Sequence, residues 1–265
     1  MTVPVVHSAG VDLDVRQQGS GPRLVFLQGS GSTLEESTPL IGTFAPGFAL
    51  TAFDYRGLGR SGPAPGAYTM ADCAGDALAV MDAAGWESAR VLGISFGGMV
   101  ALELAVSAPE RVERLALLCT SAGGGGGSSY PLHELEALDP AERSRRRVLL
   151  MDTRFDDAWL ASHPADRALV EALDSRGPGP DASQRSGHLH QLEARRHHDV
   201  WDRLPLIACA TFIGCGRFDG IAPPANSAAL ASRIPGAQLH TYEGGHAFLA
   251  QDRRSIGEVR DFLSR

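Results

Sequence analysis

Short runs of continuous apolar residues recur along the chain and alternate with segments of helical periodicity. The runs occupy residues 24–27, 49–53, 90–94, 115–118 and 211–214. Runs of about five residues without polar alternation are typical of strands that are covered on both faces, as in a parallel sheet. The alternation with helices therefore predicts βαβ units and a doubly wound, mostly parallel α/β sheet.

End signals predict two of the helices between these strands. Residues 69–72 (Thr-Met-Ala-Asp) form a capping-box pattern that opens a helix running to Ala84, and Gly85 follows as its stop. A second helix is predicted over residues 96–107, directly after an apolar run, and it ends before Pro109.

The strand–helix rhythm stops after Cys119 and resumes at Leu206. Five consecutive glycines occupy residues 123–127, and no convincing strand pattern follows them. Helical pieces are predicted instead, with breaks at Pro164 and at the Gly-Pro-Gly-Pro of 177–180; the pieces are 135–151, 156–161, 166–173 and 184–204. We therefore expect residues 121–205 to form a helical insertion between two core segments, 1–120 and 206–265.

Composition excludes several functional classes. The 24 Lys and Arg residues are all Arg, so Schiff-base chemistry and a phosphate-loop lysine are excluded. A net charge of −7 without a basic tract makes nucleic acid a poor partner. No stretch approaches the ~18 apolar residues of a membrane span, and no signal-peptide pattern is present. The four cysteines form no CxxC pair, so we expect reduced thiols in a cytoplasmic protein. Because the sequence shows no membrane span, we expect that the protein does not bind membranes.

Histidines are concentrated in the insertion, which raises the question of a metal site. Six of the nine lie there: His133, His163, His188, His190, His197 and His198. Their Arg-rich, amphipathic surroundings favour solvated helix faces over metal ligation, so we predict no metal site.

Residues 93–98 (Gly-Ile-Ser-Phe-Gly-Gly) match the nucleophile-elbow pattern G-x-S-x-G. The pentapeptide alone is a weak signal in a chain with 31 glycines, but here Ser95 ends an apolar run and begins a predicted helix. A sharp turn there forces an unfavourable backbone at the serine and presents Oγ beside the helix N-terminus. The alternative interpretation is a turn in which Ser95 merely caps the helix.

A nucleophilic serine needs a base, and the base needs a carboxylate that orients it. His246 follows the strand-like residues 238–242, and Asp219 follows the run that ends near Cys215. Both are expected at the carboxyl ends of strands, where open α/β sheets place their sites. The alternatives are a core imidazole for His246 and a cap of the helix 223–233 for Asp219.

An acyl-transfer site also needs N–H donors for the developing oxyanion. The N–H of Phe96, directly after the nucleophile, is one candidate, and the N–H of Ser30 in the loop after residues 24–27 is the other. Gln28, Gly29 and Gly31 of the same loop are candidates for substrate contact. The alternatives are an ordinary Gly-Ser turn or a phosphate loop, but the loop lacks GK[ST].

With these motifs in place, the chain resembles the α/β-hydrolase superfamily over essentially its whole length. Residues 54–61 (Asp-Tyr-Arg-Gly-Leu-Gly-Arg-Ser) are similar to the D-x-R-G-x-G-x-S loop of those enzymes, and residues 216–224 and 244–252 are similar to their acid and histidine loops. The insertion stands where that family inserts its cap. One departure is Gln28, where family members usually carry a histidine before the glycine.

The resemblance implies a serine hydrolase of a small or medium carboxylic ester or lactone, with Ser95, His246 and Asp219 as the triad and no cofactor. C–C bond hydrolysis, a cofactor-free lyase or oxygenase activity, and a ligand-binding receptor on the same scaffold remain as alternatives. The expected partner is a small-molecule substrate, and the sequence makes no prediction of oligomeric state. Two Arg tracts, 143–147 and 195–196, either bind a substrate carboxylate or form solvated helix faces.

Overall fold

The computed structural model describes residues 5–174 and 182–265, and its centre is a β-sheet. The strands of these residues are, in chain order, β1 (Val6–Ser8), β2 (Val11–Leu13), β3 (Val15–Gln18), β4 (Arg23–Leu27), β5 (Ala49–Phe53), β6 (Ala89–Ile94), β7 (Val112–Leu118), β8 (Ala210–Gly216) and β9 (Gln238–Tyr242). Seven of them form one sheet in the order β3-β5-β4-β6-β7-β8-β9. β1 and β2 pair separately as an antiparallel hairpin.

Within the seven-stranded sheet, β3 runs antiparallel to β5 and every other neighbouring pair is parallel. The prediction of a doubly wound, mostly parallel sheet is confirmed. The five apolar runs all fall in strands, and most of their side chains are buried because both faces of the sheet are covered. The short strands β1 to β3 were not predicted, since three or four residues carry too little periodicity.

Helices cover both faces of the sheet and flank two hydrophobic cores. The helices are α1 (Leu34–Phe44), α2 (Met70–Ala83), α3 (Phe96–Ser107), α4 (Pro140–Met151), α5 (Asp157–Ser162), α6 (Pro164–Asp174), α7 (Ala182–Arg196), α8 (Pro224–Arg233), α9 (Phe248–Gln251) and α10 (Arg253–Ser264). One core packs α2, α3 and α8 against the sheet, and the other packs α1, α9 and α10 against its opposite face. The capping box that opens α2 at Thr69 forms as predicted.

The residues between β7 and β8 contribute helices, and none of those that the structure describes lies in a strand. The predicted helix 135–151 is wrong in extent, because Asp139 caps a new helix with Pro140 at its first position. The predicted helix 184–204 ends at Arg196 and is followed by a separate 3₁₀ segment, Trp201–Leu206. The predicted break at Pro164 is confirmed, since α5 ends at Ser162 and α6 begins with Pro164. The predicted break at 177–180 lies outside the described residues.

Across residues 5–174 and 182–265, no helix combines the length and the apolar character that crossing a bilayer requires. The four cysteines are free thiols, and Cys73, Cys119 and Cys215 are buried.

The loop after β5 is fixed by two buried charged side chains, Asp54 and Arg56. Asp54 accepts hydrogen bonds from the N–H of Leu34 (2.6 Å) and of Arg60 (2.9 Å), which ties the loop to the start of α1. Arg56 donates from Nε and Nη2 to the two carboxylate oxygens of Asp76 in α2, at 2.7 and 2.6 Å. These hydrogen bonds therefore join the loop after β5 to both α1 and α2.

We expect Asp76→Asn to destabilise the protein by about 3 kcal/mol, because it leaves the buried Arg56 cation without its counter-charge. The matched control is Asp82→Asn on the same helix. Asp82 pairs with Arg111, but its side chain is 65% exposed, so its loss should cost less than about 1 kcal/mol. Urea unfolding of both variants measures the difference, and equal losses would contradict the assigned role of the Arg56–Asp76 pair.

Candidate active site

Ser95 occupies the turn between β6 and α3 and has a strained backbone. Its φ of 55° and ψ of −115° lie in a region that L-residues rarely adopt. Two hydrogen bonds hold it there: the Ser95 N–H donates to Leu118 O, and Thr120 Oγ1 donates to Ser95 O, each at 2.8 Å. The unfavourable backbone predicted for this serine is confirmed, and its side chain makes no cap to the helix.

Glycines allow α3 to approach the sheet closely at this turn. A Cβ on Gly93 would overlap the backbone of Gly97 across the turn, and a Cβ on Gly97 would overlap the carbonyl of Leu27 in β4. Any larger residue at either position would push the helix away and relax the turn. Glycine is therefore required two residues before and two residues after Ser95, because a side chain at either position would overlap the neighbouring backbone.

His246 lies between Ser95 and Asp219 and contacts both. His246 Nδ1 is 2.8 Å from Asp219 Oδ2, and Nε2 is 3.0 Å from Ser95 Oγ. A carboxylate only accepts, so the ring proton sits on Nδ1, and Nε2 is left to accept from the serine hydroxyl. The three side chains form one continuous hydrogen-bonded chain, although 151 residues separate the serine from the histidine.

Asp219 is completely buried at its side chain and is fixed by backbone donors. Its second oxygen, Oδ1, accepts from the N–H groups of Ile221 and Ala222, both at 2.8 Å. The predicted alternative, a cap for the following helix, is wrong in detail, because the residue at the N-cap position of α8 is Pro223. Asp219 instead closes its own loop, which directs Oδ2 at the imidazole.

The acid loop and the histidine loop are both attached to the end of α4. The N–H of Gly220 donates to Leu150 O (3.1 Å), and the N–H of His246 donates to Met151 O (2.6 Å). The segment between β7 and β8 therefore takes part in holding the imidazole in place.

Two polar residues that the sequence analysis missed extend this support. The amide of Gln251 accepts from the N–H of Gly245 (2.9 Å) and donates to the buried carboxylate of Asp152 (3.0 Å). Asp152 is also paired with Arg154. Because 99 residues separate Asp152 from Gln251, no local pattern marks the pair, and only their contact in the fold reveals it.

The N–H groups of Ser30 and Phe96 follow adjacent strands, β4 and β6. Neither donates to an acceptor within the parts of the chain that the structure describes. Phe96 is also the first residue of α3, where the helix dipole favours negative charge. Gly29 lies next to Ser95, since a Cβ at Gly29 would stand 3.8 Å from Ser95 Cβ.

The other two loop candidates are engaged with the protein. The Gln28 side chain is buried and donates from Nε2 to Phe53 O (2.7 Å), which ties β4 to β5. The N–H of Gly31 donates to the side-chain oxygen of Gln191 in α7 (2.6 Å). In this structure both groups are therefore occupied by protein partners.

Cys119 is a further buried group beside the triad. Its sulfur and the ligand atoms of Asp219 and His246 lie within 4.8 Å of one another, and this is the one such cluster of potential metal ligands within the described ranges. Burial, and secondarily the Asp219 charge, raise the pKa of the Cys119 thiol well above its usual value. A protonated thiol is a weak ligand, and Asp219 and His246 already bind each other.

Comparison with known proteins identifies the family. The family model described as the alpha/beta hydrolase fold matches residues 22–252. The chain belongs to the α/β-hydrolase superfamily. The sheet order, the strained serine and the hydrogen-bonded Ser–His–Asp arrangement thus occur in a chain of this superfamily.

Two relatives illustrate the range of hydrolases within the superfamily. A protein of Azorhizobium caulinodans named "Putative carbamate hydrolase RutD" is 29% identical over 254 residues, which are 94% of this chain and 93% of that protein. A 2-hydroxymuconate semialdehyde hydrolase of Pseudomonas putida is 32% identical over 261 residues, which are 91% of this chain and 86% of that protein.

Solved α/β-hydrolase structures superpose on nearly the whole chain. A hydrolase from Pseudomonas aeruginosa has a TM-score of 0.78 at 27% identity and covers 98% of this chain and 97% of its own. An enol-lactonase from Burkholderia xenovorans has a TM-score of 0.80 at 23% identity and covers 99% of this chain and 100% of its own. This second likeness establishes the shared fold.

We expect a fluorophosphonate probe to modify Ser95 alone, because among the described residues only its hydroxyl contacts an imidazole that a buried carboxylate orients. Peptide mapping by mass spectrometry locates the adduct. Ser95→Ala should abolish labelling, and His246→Ala should slow it at least ~100-fold. An adduct on another serine of the unmodified protein would show that the nucleophile has been misassigned.

Proposed function

We propose that this hydrolase cleaves a small or medium carboxylic ester or lactone through a covalent acyl-enzyme on Ser95. The observation that carries the proposal is the unbroken chain of contacts from Ser95 Oγ to His246 (3.0 Å) and from His246 to Asp219 (2.8 Å). Nucleophile, base and orienting acid are the groups that acyl transfer requires.

In the proposed reaction, Ser95 Oγ attacks the carbonyl carbon while His246 Nε2 takes the hydroxyl proton. The bond from carbon to the leaving oxygen then breaks, and His246 delivers the proton to that oxygen. A water molecule attacks the acyl-enzyme with His246 again as base, which releases the acid and returns the proton to Ser95. Asp219 keeps the Nδ1–H tautomer and stabilises the imidazolium.

The proposed oxyanion hole consists of the N–H groups of Ser30 and Phe96. Both lack acceptors among the described residues and follow strands that pair in parallel, so they lie at the same edge of the sheet as Ser95. Backbone donors that are fixed before the reaction need no reorganisation when charge develops. Gln28 in place of the usual histidine leaves these donors intact, because its side chain is directed at Phe53.

We also propose that residues 121–205 form the cap that selects the substrate, between core segments 1–120 and 206–265. This proposal is supported by Gln191 of α7, which contacts the loop after β4. It is supported as well by α4, which contacts the loops of Asp219 and His246. Such insertions exclude water from acyl transfer when they cover a bound substrate.

C–C bond hydrolysis by the same triad is the second candidate, and one observation favours it. The relative with 32% identity is named for 2-hydroxymuconate semialdehyde, which is not an ester. A carbanion leaves only after the substrate has been converted to a ketone, whereas an alkoxide needs only a proton from His246. Because the assembled groups suffice for the ester reaction without that extra step, we place ester and lactone cleavage first.

We expect Asp219→Asn to fold normally, since Asn can still accept the Ile221 and Ala222 N–H groups. Its kcat should fall about 10³-fold or more, because an amide at this position favours the wrong imidazole tautomer. The control is Asp202→Asn, whose side chain is 93% exposed. Steady-state kinetics on one ester compare the two, and a loss below about tenfold for Asp219→Asn would assign the orienting role to another carboxylate.

A substrate panel tests the reaction class. It comprises p-nitrophenyl esters of short acids, an enol-lactone, an aryl carbamate and a vinylogous 1,5-diketo acid. We expect turnover of esters or lactones that disappears in Ser95→Ala, a loss that a ligand-binding receptor would not show. Turnover of the diketo acid or the carbamate at least ~100-fold above every ester and lactone in kcat/KM would overturn the choice.

A further inference from the structure

Arg195 in α7 is a buried cation without a carboxylate partner. Only 6% of its surface is exposed, and it forms no ion pair with any residue of the described ranges. Its one hydrogen bond there runs from Nη2 to Ser129 Oγ at 2.8 Å. The Nε nitrogen is buried and unpartnered, so donors remain for another group.

Arg195 borders a cavity of about 260 Å³, and none of the described residues that line it is acidic. The polar and charged residues that line the cavity include Ser121, Ser129, His133, Arg195, Arg196 and His198. Arg196 is mostly exposed and lies 3.7 Å from the Glu193 carboxylate. Burial lowers the pKa of His198 to about 4, so this imidazole is neutral at pH 7. Arg195 is therefore the buried positive charge of the cavity.

A lone buried guanidinium is expensive, because several kcal/mol of hydration are lost without a compensating charge. Burial alone lowers the pKa of Arg195, to about 10, which still leaves the group protonated at pH 7. An anion that enters the cavity would supply the missing counter-charge and accept the free N–H groups.

The position of α7 places this charge near the nucleophile. Gln191 in α7 contacts Gly31 after β4, whereas the cavity of Arg195 includes Ser121 after β7. Ser95 follows β6, which lies between β4 and β7. Met99, which lies one turn after Ser95 in α3 and donates its N–H to Ser95 O, also lines the cavity, so Arg195 and Ser95 lie at the same edge of the sheet.

Two more buried nitrogens on the same face of α7 lack a hydrogen-bond partner among the described residues. His188, Gln191 and Arg195 recur at helical spacing on the side of α7 that contacts the core. Each has a buried side-chain nitrogen without a hydrogen-bond partner among the described residues: His188 Nδ1, Gln191 Nε2 and Arg195 Nε. Buried polar atoms are normally paired, so three unpaired ones on one face fit a polar ligand.

We propose that Arg195 binds a carboxylate of the substrate, so that the molecule cleaved at Ser95 is an ester or lactone that also carries a free acid group. The inference rests on the proposed function and names its substrate class. A single buried guanidinium balances one negative charge, which suits a carboxylate better than a phosphate dianion. The acid group would lie on the acyl or alcohol side, several bonds from the reacting carbonyl.

A matched pair of substrates tests this proposal: the mono-p-nitrophenyl ester of glutaric acid, and the same ester with its free acid capped as a methyl ester. The two share a leaving group and a reacting carbonyl and differ in one charge. We expect the unmodified enzyme to show a kcat/KM at least ~10-fold higher for the free acid. Equal rates for the two esters would overturn the proposal, while hydrolysis of neither would count against the proposed function itself.

The variant Arg195→Met keeps length and removes the charge. We expect its kcat/KM for the free acid to fall at least ~30-fold, mainly through KM, while the capped ester changes less than about threefold. Arg167→Met, an exposed arginine of α6 that is paired with Glu171, controls for the change in net charge and should behave like the unmodified enzyme. A parallel loss on both esters in Arg195→Met would contradict a carboxylate subsite.

Two further measurements separate the remaining explanations. Glutarate itself should inhibit hydrolysis of the free-acid ester competitively in the unmodified enzyme and not in Arg195→Met. If glutarate binds through Arg195 but does not raise the apparent KM of the free-acid ester, the anion does not compete with the substrate. That result would show that the anion is a separate ligand.

Thermal unfolding should give a Tm for Arg195→Met at or above that of the unmodified protein, since an uncompensated charge is removed. A clearly lower Tm would make Arg195 a structural residue.

Discussion

The strained turn at Ser95 is the constraint on which the rest of the site depends. A residue with φ of 55° and a β-carbon costs on the order of 1–2 kcal/mol, so the turn persists only where its surroundings impose it. The bonds to Leu118 and Thr120 impose it from the neighbouring strand, and the close approach at Gly97 imposes it from β4. The direction of Oγ, the start of α3 and the distance to His246 all follow from this one conformation.

The sequence predicted those parts of the fold whose cause is local. Continuous apolar runs give the inner strands, and the Gly-Ile-Ser-Phe-Gly-Gly segment gives the turn. Asp219 and His246 were predicted because parallel strands end at one edge of the sheet, which brings together residues that follow different strands. The helix boundaries at Asp139 and Arg196 were misplaced, since polar amphipathic segments carry no sharp boundary between one element and the next.

Contacts between distant segments could not be predicted in the same way. The pairing of Asp152 with Gln251 and the bond from Gly31 to Gln191 join residues 99 and 160 positions apart. Gln28 was a candidate for substrate contact because of its neighbours in sequence, yet its amide is bonded to β5. A side chain's direction depends on what packs around it, and a single sequence does not contain that information.

The backbone bond from His246 N–H to Met151 O has a consequence for how modular this enzyme is. The imidazole is anchored by the end of α4, which belongs to the proposed cap. Displacement of α4 would remove the acceptor of the His246 N–H, so under the proposed function the position of the base depends on the position of the cap. A chimera that exchanges the helices of residues 121–205 should therefore take residues 149–154 from the protein that supplies the histidine loop, 244–252.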